Sequence, residues 1–208
     1  MGIEGHRIRV VGTGGIARAA VEALRARGAI VRQDAGQMDG PADPPSDERL
    51  DAVVFAPWDP AVIHPRPLAE LTDEEFDLAW QRTMDSAVAT CVEARTAFAG
   101  HPGAIVLTFP TTGLVGGAFH AHWAAAAEGV HILARSMARQ WGPEGITVNA
   151  LAIDAADALA DPASAGPISI AAPAAPGARA GEVLAFLCSA EARDLAGQTL
   201  AVDGGLWM

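Results

Sequence analysis

Apolar residues in this chain fall into short, β-type runs separated by stretches with helical spacing. Arg7-Ile-Arg-Val-Val11 reads as a buried first strand, followed by a helix that carries Ile16, Ala20, Ala23 and Leu24 on one face. Ile30-Val-Arg-Gln33 and Asp51-Ala-Val-Val-Phe-Ala56 are the next strands, with a Gly-, Pro- and Asp-rich loop over 34–50 between them. Thr72-Asp-Glu-Glu75 has the form of a capping box and opens a long amphipathic helix, Asp73–Phe98. Ala104–Thr108 is a strand. Trp123–Trp141 is a second long helix with Val130, Leu133, Ala134 and Met137 on one face. Ile146–Ala152 is a strand, Ala155–Ala178 an Ala/Pro/Gly loop, Ala180–Ala190 a helix and Thr199–Val202 the last strand. Strands that alternate with helices predict a parallel sheet covered on both faces.

Composition narrows the picture. A chain of 208 residues fits one domain, spanning 1–208, and a chain of that size buries about 70% of its unfolded surface. Half the residues are hydrophobic, yet no apolar run approaches the roughly 18 residues of a membrane span. Met1-Gly-Ile-Glu-Gly-His-Arg7 lacks the apolar core of a signal peptide. A net charge of −11 argues against nucleic acid, which requires a basic stripe. Cys91 and Cys188 lie in different helices without metal-ligand spacing, so reduced, buried thiols in a cytoplasmic protein are expected, with no metal site.

Two groups of residues carry candidate chemistry. Gly12, Gly14 and Ala17 satisfy G-x-G-x-x-G/A between a strand and a helix, where backbone N–H groups can face a pyrophosphate. Asp34, just after the second strand, follows Gly12 by 22 residues, a fair distance for an acid that bonds the adenosine ribose. The plainer reading is that these glycines only permit a tight turn and close helix packing. Thr111, Thr112, His120 and His122 precede the second long helix, and Asp154 follows the strand after it. A His–Asp pair there could serve as a general base. Alternatively, both histidines are solvated loop residues and Asp154 caps a turn.

The stretch Ala104–Ile153, with Gly113-Leu-Val-Gly116, Trp123-Ala-Ala-Ala-Ala127 and Gly145-Ile-Thr-Val-Asn-Ala150, resembles the catalytic half of a short-chain dehydrogenase/reductase. The tail Gly197-Gln-Thr-Leu-Ala-Val-Asp-Gly-Gly205 is similar to that family's last strand and turn. The resemblance implies a three-layer Rossmann-like sandwich. A helix and a strand that the family inserts after strand two have no room in 34–50, where Pro41, Pro44 and Pro45 also oppose a helix. The expected sheet therefore has about six parallel strands, with the third βα unit deleted.

The same resemblance places the family's catalytic Tyr and Lys at Trp123 and Ala127, and its Ser at Pro110. This chain contains no Tyr, and all 14 of its Lys and Arg residues are Arg. Thr83 stands for the family's helix Asn, Phe55-Ala-Pro-Trp58 for its Asn-Asn-Ala-Gly turn and Ile153-Asp154 for its Pro-Gly pair. An indole does not ionise near neutrality, and positioned acid–base catalysis is worth roughly 10²–10⁴-fold. No catalytic residue is therefore expected to remain, and no cofactor beyond residual NAD(P) binding at the pyrophosphate end. The expected partner is an active short-chain dehydrogenase subunit of hydroxyacyl-CoA or 3-oxoacyl type, or a second copy, in a dimer or tetramer. Contact is expected through helices 73–98 and 123–141, where Ala124–Ala127, Gly129 and Ala138 would allow close approach, and through Val202–Met208. Two alternatives are an enzyme of another kind using His120, His122 or Asp154, and a nucleotide sensor without turnover.

Overall fold

The computed structural model describes residues 2–35, 49–56, 61–155 and 178–205. Six strands form one sheet: β1 (Arg7–Val11), β2 (Ile30–Asp34), β3 (Ala52–Phe55), β4 (Gly103–Pro110), β5 (Ile146–Ile153) and β6 (Thr199–Val202). Their order is β2-β1-β3-β4-β5-β6, and every pair is parallel. The sheet thus ends at the second strand, and β3 pairs directly with β1, as the short 34–50 connection requires. The order reverses between β2 and β3, so the glycine turn after β1 lies at the switch point where open α/β sheets bind ligands.

Helices α1 (Gly15–Arg25) and α6 (Ala178–Leu187) cover one face. There Ile16 and Leu24 of α1 and Leu184 of α6 pack on Ile8, Val10, Val54 and Val106. The two helices meet at backbone distance, since a Cβ on Gly181 would lie 2.6 Å from the Ala19 carbonyl oxygen. Helices α3 (Ser86–Ala97) and α5 (Ala121–Trp141) cover the other face, over Val53, Phe55, Ile105, Leu107, Phe109 and Val148. All eight residues of β4 and of β5 are buried, the continuous apolar pattern of strands covered on both faces. Each fully buried Phe, Leu or Ile contributes about 1.5–3 kcal/mol.

Three sequence expectations change. The helix expected over Asp73–Phe98 is α2 (Asp73–Trp80), a π-helical turn (Gln81–Asp85) and α3. Within that wide turn Met84 reaches α5, where a Cβ on Gly129 would stand 2.7 Å from its Sδ. The expected capping box is present, with Glu75 N–H donating to Thr72 Oγ1 (3.2 Å) and Thr72 N–H to Glu75 Oε2 (2.9 Å). Helix α5 starts at Ala121, ahead of the expected Trp123, which puts His122 inside its first turn. A short helix, α4 (Thr112–Val115), occupies what reads as loop in the sequence. Trp58, most of the 34–50 loop, the 155–178 segment beyond Ala155 and residues 206–208 lie outside the described residues. Among the described residues no helix is long and apolar enough to cross a membrane.

Candidate functional site

The C-terminal ends of β1, β3, β4 and β5 bring together the glycine turn, Ala56, Pro110–Thr112 and Ile153–Asp154. Gly12 has φ +137°, which excludes a side chain there, and its N–H donates to the Asp34 carbonyl at 2.7 Å. Gly14 caps α1 without any side-chain hydrogen bond, and Ala17 is buried one turn on. Gly12, Gly14 and Ala17 therefore fit a pyrophosphate against the helix N-terminus.

Asp34 faces a protein partner. Arg9 donates to it twice, from Nε at 2.8 Å and Nη2 at 3.0 Å, and Arg32 approaches at 3.4 Å. Arg9, nearly buried, also holds Glu93 of α3 at 2.6 Å. Burial alone would lower the guanidinium's pKa, but the bonds to Asp34 and Glu93 more than offset it and raise it. The carboxylate expected to bind ribose is thus the acceptor of a bidentate ion pair, the strongest competitor available inside a protein.

The positions read as Ser, Tyr and Lys equivalents are closed by packing. Pro110 ends β4 in register with Ile153, and the next N–H, that of Thr111, donates to the Ile153 carbonyl at 2.8 Å. Trp123 is 3% exposed and joins the apolar core on the α1/α6 face, its ring edge-on to His120 at 5.9 Å. Ala127 is 1% exposed and lies against α4, where a Cβ on Gly113 would stand 3.0 Å from its own. Position 127 thus presents a methyl group packed beside α4 in place of an amine. Thr83 sits half-buried in the π-helical turn. The glycine turn fits a dinucleotide's pyrophosphate, while the carboxylate expected at the ribose is already engaged by Arg9 and position 127 carries no amine.

His120 and His122 are buried rather than solvated, a correction to the loop reading. The early start of α5 turns both inward. His120 Nδ1 lies 2.8 Å from the Ala118 carbonyl, so Nδ1 carries the proton and Nε2 is a buried acceptor without a partner. Among the described residues neither nitrogen of His122 makes a well-formed hydrogen bond, although the Val62 backbone lies near enough to oppose the lowering of its pKa. Its ring lies 5.1 Å from His64, and its pKa is lowered by burial, then by His64 and His120. Asp154 is buried at the end of β5, but neither histidine bonds it, so the expected His–Asp pair does not form. The hydroxyls of Thr111 and Thr112 are likewise buried and unpartnered.

Sequence reasoning missed His64 and its neighbours. Glu75 takes its Thr72 cap and an ion pair from Arg66 at 3.2 Å, with His64 Nε2 at 3.7 Å. It also missed His131, whose Nδ1 meets Glu128 at 2.9 Å and whose Nε2 meets Thr199 at 2.8 Å. The Glu128–His131 spacing on one helix face was the readable signal. Cys91 and Cys188 are free and buried, and burial pushes both thiols up to about 12, so they are inert at neutral pH. Among the described residues no three His, Cys, Asp or Glu are placed to hold a metal.

Comparison with known proteins identifies the class. A family model described as enoyl-(acyl carrier protein) reductase matches residues 48–207. The 3-oxoacyl-[acyl-carrier-protein] reductase FabG of Escherichia coli K12 is 30% identical over 244 aligned positions, covering all of both chains. That alignment is longer than this chain, in keeping with a missing βα unit. The FabG of Salmonella typhimurium is 38% identical over 114 residues, 51% of this chain but only 46% of that protein, so the chain matches under half of that relative's length. The TT0495 protein of Thermus thermophilus superimposes with a TM-score of 0.77 at 27% identity, covering 98% of this chain and 99% of that one. A dehalogenation enzyme shares the fold, at TM-score 0.84 and 21% identity over the full length of both. This chain belongs to the short-chain dehydrogenase/reductase family, an oxidoreductase family, and carries its Rossmann-like fold less one βα unit.

Proposed function

We propose that this chain is a non-catalytic member of its family that acts as the assembly subunit of an oxidoreductase complex. The observation that carries this reading is that an indole and a methyl group, Trp123 and Ala127, are buried where the family's proton donor and its tuning lysine would stand. Trp123, packed into the core, offers no ionisable group in the donor's place. The catalytic partner is an intact family member acting on a 3-oxoacyl or hydroxyacyl thioester, the chemistry of the curated relatives. A second copy of this chain takes the same place when that partner is absent.

The contact surface is the outer side of the two-helix layer. Trp80 (43% exposed), Val92 (55%) and Ile132 (52%) leave apolar surface open on α2, α3 and α5. Exposed apolar area of this kind is a common mark of an interface, and two-fold closure is its usual geometry. Several of the small residues expected to serve that interface are engaged inside the chain, while Ala124 and Ala125 stay half-buried. Gly129 receives Met84, Ala127 receives α4, and Ala134 and Ala138 pack in the core beneath α5. NAD(P) binding is limited to weak contact of the pyrophosphate with the glycine turn. Acid–base chemistry by His120, His122 or Asp154 is disfavoured, because the histidines lack the carboxylate that would orient them.

The test is co-expression with an intact 3-oxoacyl reductase from the same organism. A stable mixed complex is expected, with partner activity that depends on this chain and both impaired by Val92→Glu with Ile132→Glu. If the partner is fully active alone and the two never co-purify, the proposal fails.

A further inference from the structure

A second concavity lies far from the glycine turn, between the C-terminal half of α5 and the turn that enters β6. It encloses about 460 Å³ and is lined by Arg135, Ala138, Arg139, Ala196, Gly197 and Gln198. We propose that this pocket binds a small organic dianion, such as a phosphate monoester or a dicarboxylate. The proposal does not depend on the assembly reading above.

Charge is the first argument. Acidic residues outnumber basic ones 25 to 14 in this chain, and Arg9, Arg27, Arg32, Arg49, Arg66 and Arg95 all hold carboxylates. Arg135 and Arg139 make no ion pair or hydrogen bond among the described residues. They stand one turn apart on the same helix face, where like charges repel. Their helical neighbours at three and four positions, from His131 through Ile132, Ser136 and Ala138 to Gly142 and Pro143, include no acid. Arg139, in the last turn, also meets the negative end of the helix dipole; Arg135 lies too far back for that to account for it.

The second argument is that the opposite wall is built and held. Buried Asn149 of β5 fixes the turn from both sides of its amide, donating to the Leu195 carbonyl at 2.8 Å and accepting from Gln198 N–H at 3.0 Å. Gly197 donates to the Val148 carbonyl at 2.8 Å, and Gln198 accepts from Ala150 N–H at 2.8 Å. Gly197 has φ +70°, a left-handed conformation that favours glycine and sets the shape of the turn, which lies in van der Waals reach of Ala138. Just beyond the turn, the Thr199–His131–Glu128 chain ties β6 to α5. The wall's own N–H groups, at Gly197 and Gln198, are engaged within the chain. The two exposed guanidinium groups at the rim of a fixed turn therefore supply the charge-assisted donors for an anion's oxygens.

The experiment uses the full chain, labelled with ¹⁵N, and follows the Gly197 and Gln198 amide signals during titration with inorganic phosphate and, separately, succinate. Saturable shifts with at least one probe are expected, weakening as salt rises and lost in Arg135→Gln with Arg139→Gln. Arg25→Gln, on the opposite side of the sheet, should leave them intact. Absence of a saturable shift with both probes, or shifts that survive the double substitution, would overturn the proposal. So would a change of oligomeric state in the double variant, which would mean that the arginines meet acids of another chain. Any anion held at the glycine turn would move the Gly12 and Gly14 signals instead, which separates the two sites.

Discussion

Ala127 and Gly113 touch so closely that a Cβ on Gly113 would lie 3.0 Å from the Cβ of Ala127. Helix α4 is thereby seated on α5 at the position where the family's lysine would emerge. A single tyrosine and a single lysine therefore do not rebuild a proton-transfer site. Trp123→Tyr with Ala127→Lys is expected to remain inactive. Ala127→Lys alone should destabilise by about 1–3 kcal/mol through overpacking, with a further cost for the buried charge. Thermal unfolding of the two variants checks this; a double variant that turns over substrate without loss of stability would refute it.

His122 makes stability depend on pH in a defined direction. Burial, with His64 and His120 nearby, holds its folded pKa below the ordinary 6.5. Below that value the unfolded chain binds a proton that the folded chain resists. Stability is thus complete above about 6.5, falls as pH drops towards the lower folded value and levels off beneath it. Glu75 and Arg66, the charged groups on the facing segment, are paired with each other, and Thr72 N–H holds Glu75 below its usual carboxyl range, so that carboxylate stays ionised throughout. Urea midpoints at pH 7.5 and 5.5 should differ more for the native chain than for His122→Phe. Equal differences would remove His122 from the account.

Arg9 links β1 to β2 and α3 through Asp34 and Glu93. Its removal takes the closest guanidinium from two partly buried carboxylates, a loss bounded by about 3–5 kcal/mol for a fully buried pair. Arg9→Leu is expected to cost more stability than Asp34→Asn, which leaves Arg9 its bond to Glu93. The reverse order in chemical denaturation would contradict the pairing described.

The same ion pair limits dinucleotide binding. A ligand held only by the folded state adds about 2.7 kcal/mol at 100 times its Kd. Millimolar NAD(H) or NADP(H) should leave the Tm nearly unchanged. A rise of several degrees, abolished by Gly14→Leu, would favour a nucleotide sensor instead.

Much of the fold was legible in the chain. Too little sequence between Asp34 and Leu50 for a helix and a strand, with three prolines in it, led directly to a sheet ending at β2. What periodicity could not reveal was the π-helical turn at Gln81–Asp85, since it inserts one residue into an otherwise helical pattern. Nor could it tell which small residues face a partner. Ala138 and Gly129 read as part of an interface stripe, but they pack in the core beneath α5 and against Met84 within the chain. The histidines were misplaced for a related reason. Starting α5 at Ala121 rather than Trp123 rotates His122 from solvent into the core, and a boundary shift of that size lies within the ordinary ambiguity of helix ends. Asp34 reads as the first residue of the 34–50 loop but is the last residue of β2, and its engagement by Arg9 depends on a neighbouring strand that spacing alone does not reveal.

Hydride transfer by the purified chain is the most direct test of a non-catalytic role. The measurement is nicotinamide absorbance with NADH and NADPH over a panel of ketones and 3-oxoacyl thioesters, in protein free of any companion subunit. No turnover above the protein-free rate is expected, because Pro110, Trp123 and Ala127 supply neither a polarising hydroxyl nor an ionisable donor. Robust turnover that persists after His120, His122 and Asp154 are each replaced would contradict both the assembly reading and a repurposed histidine site.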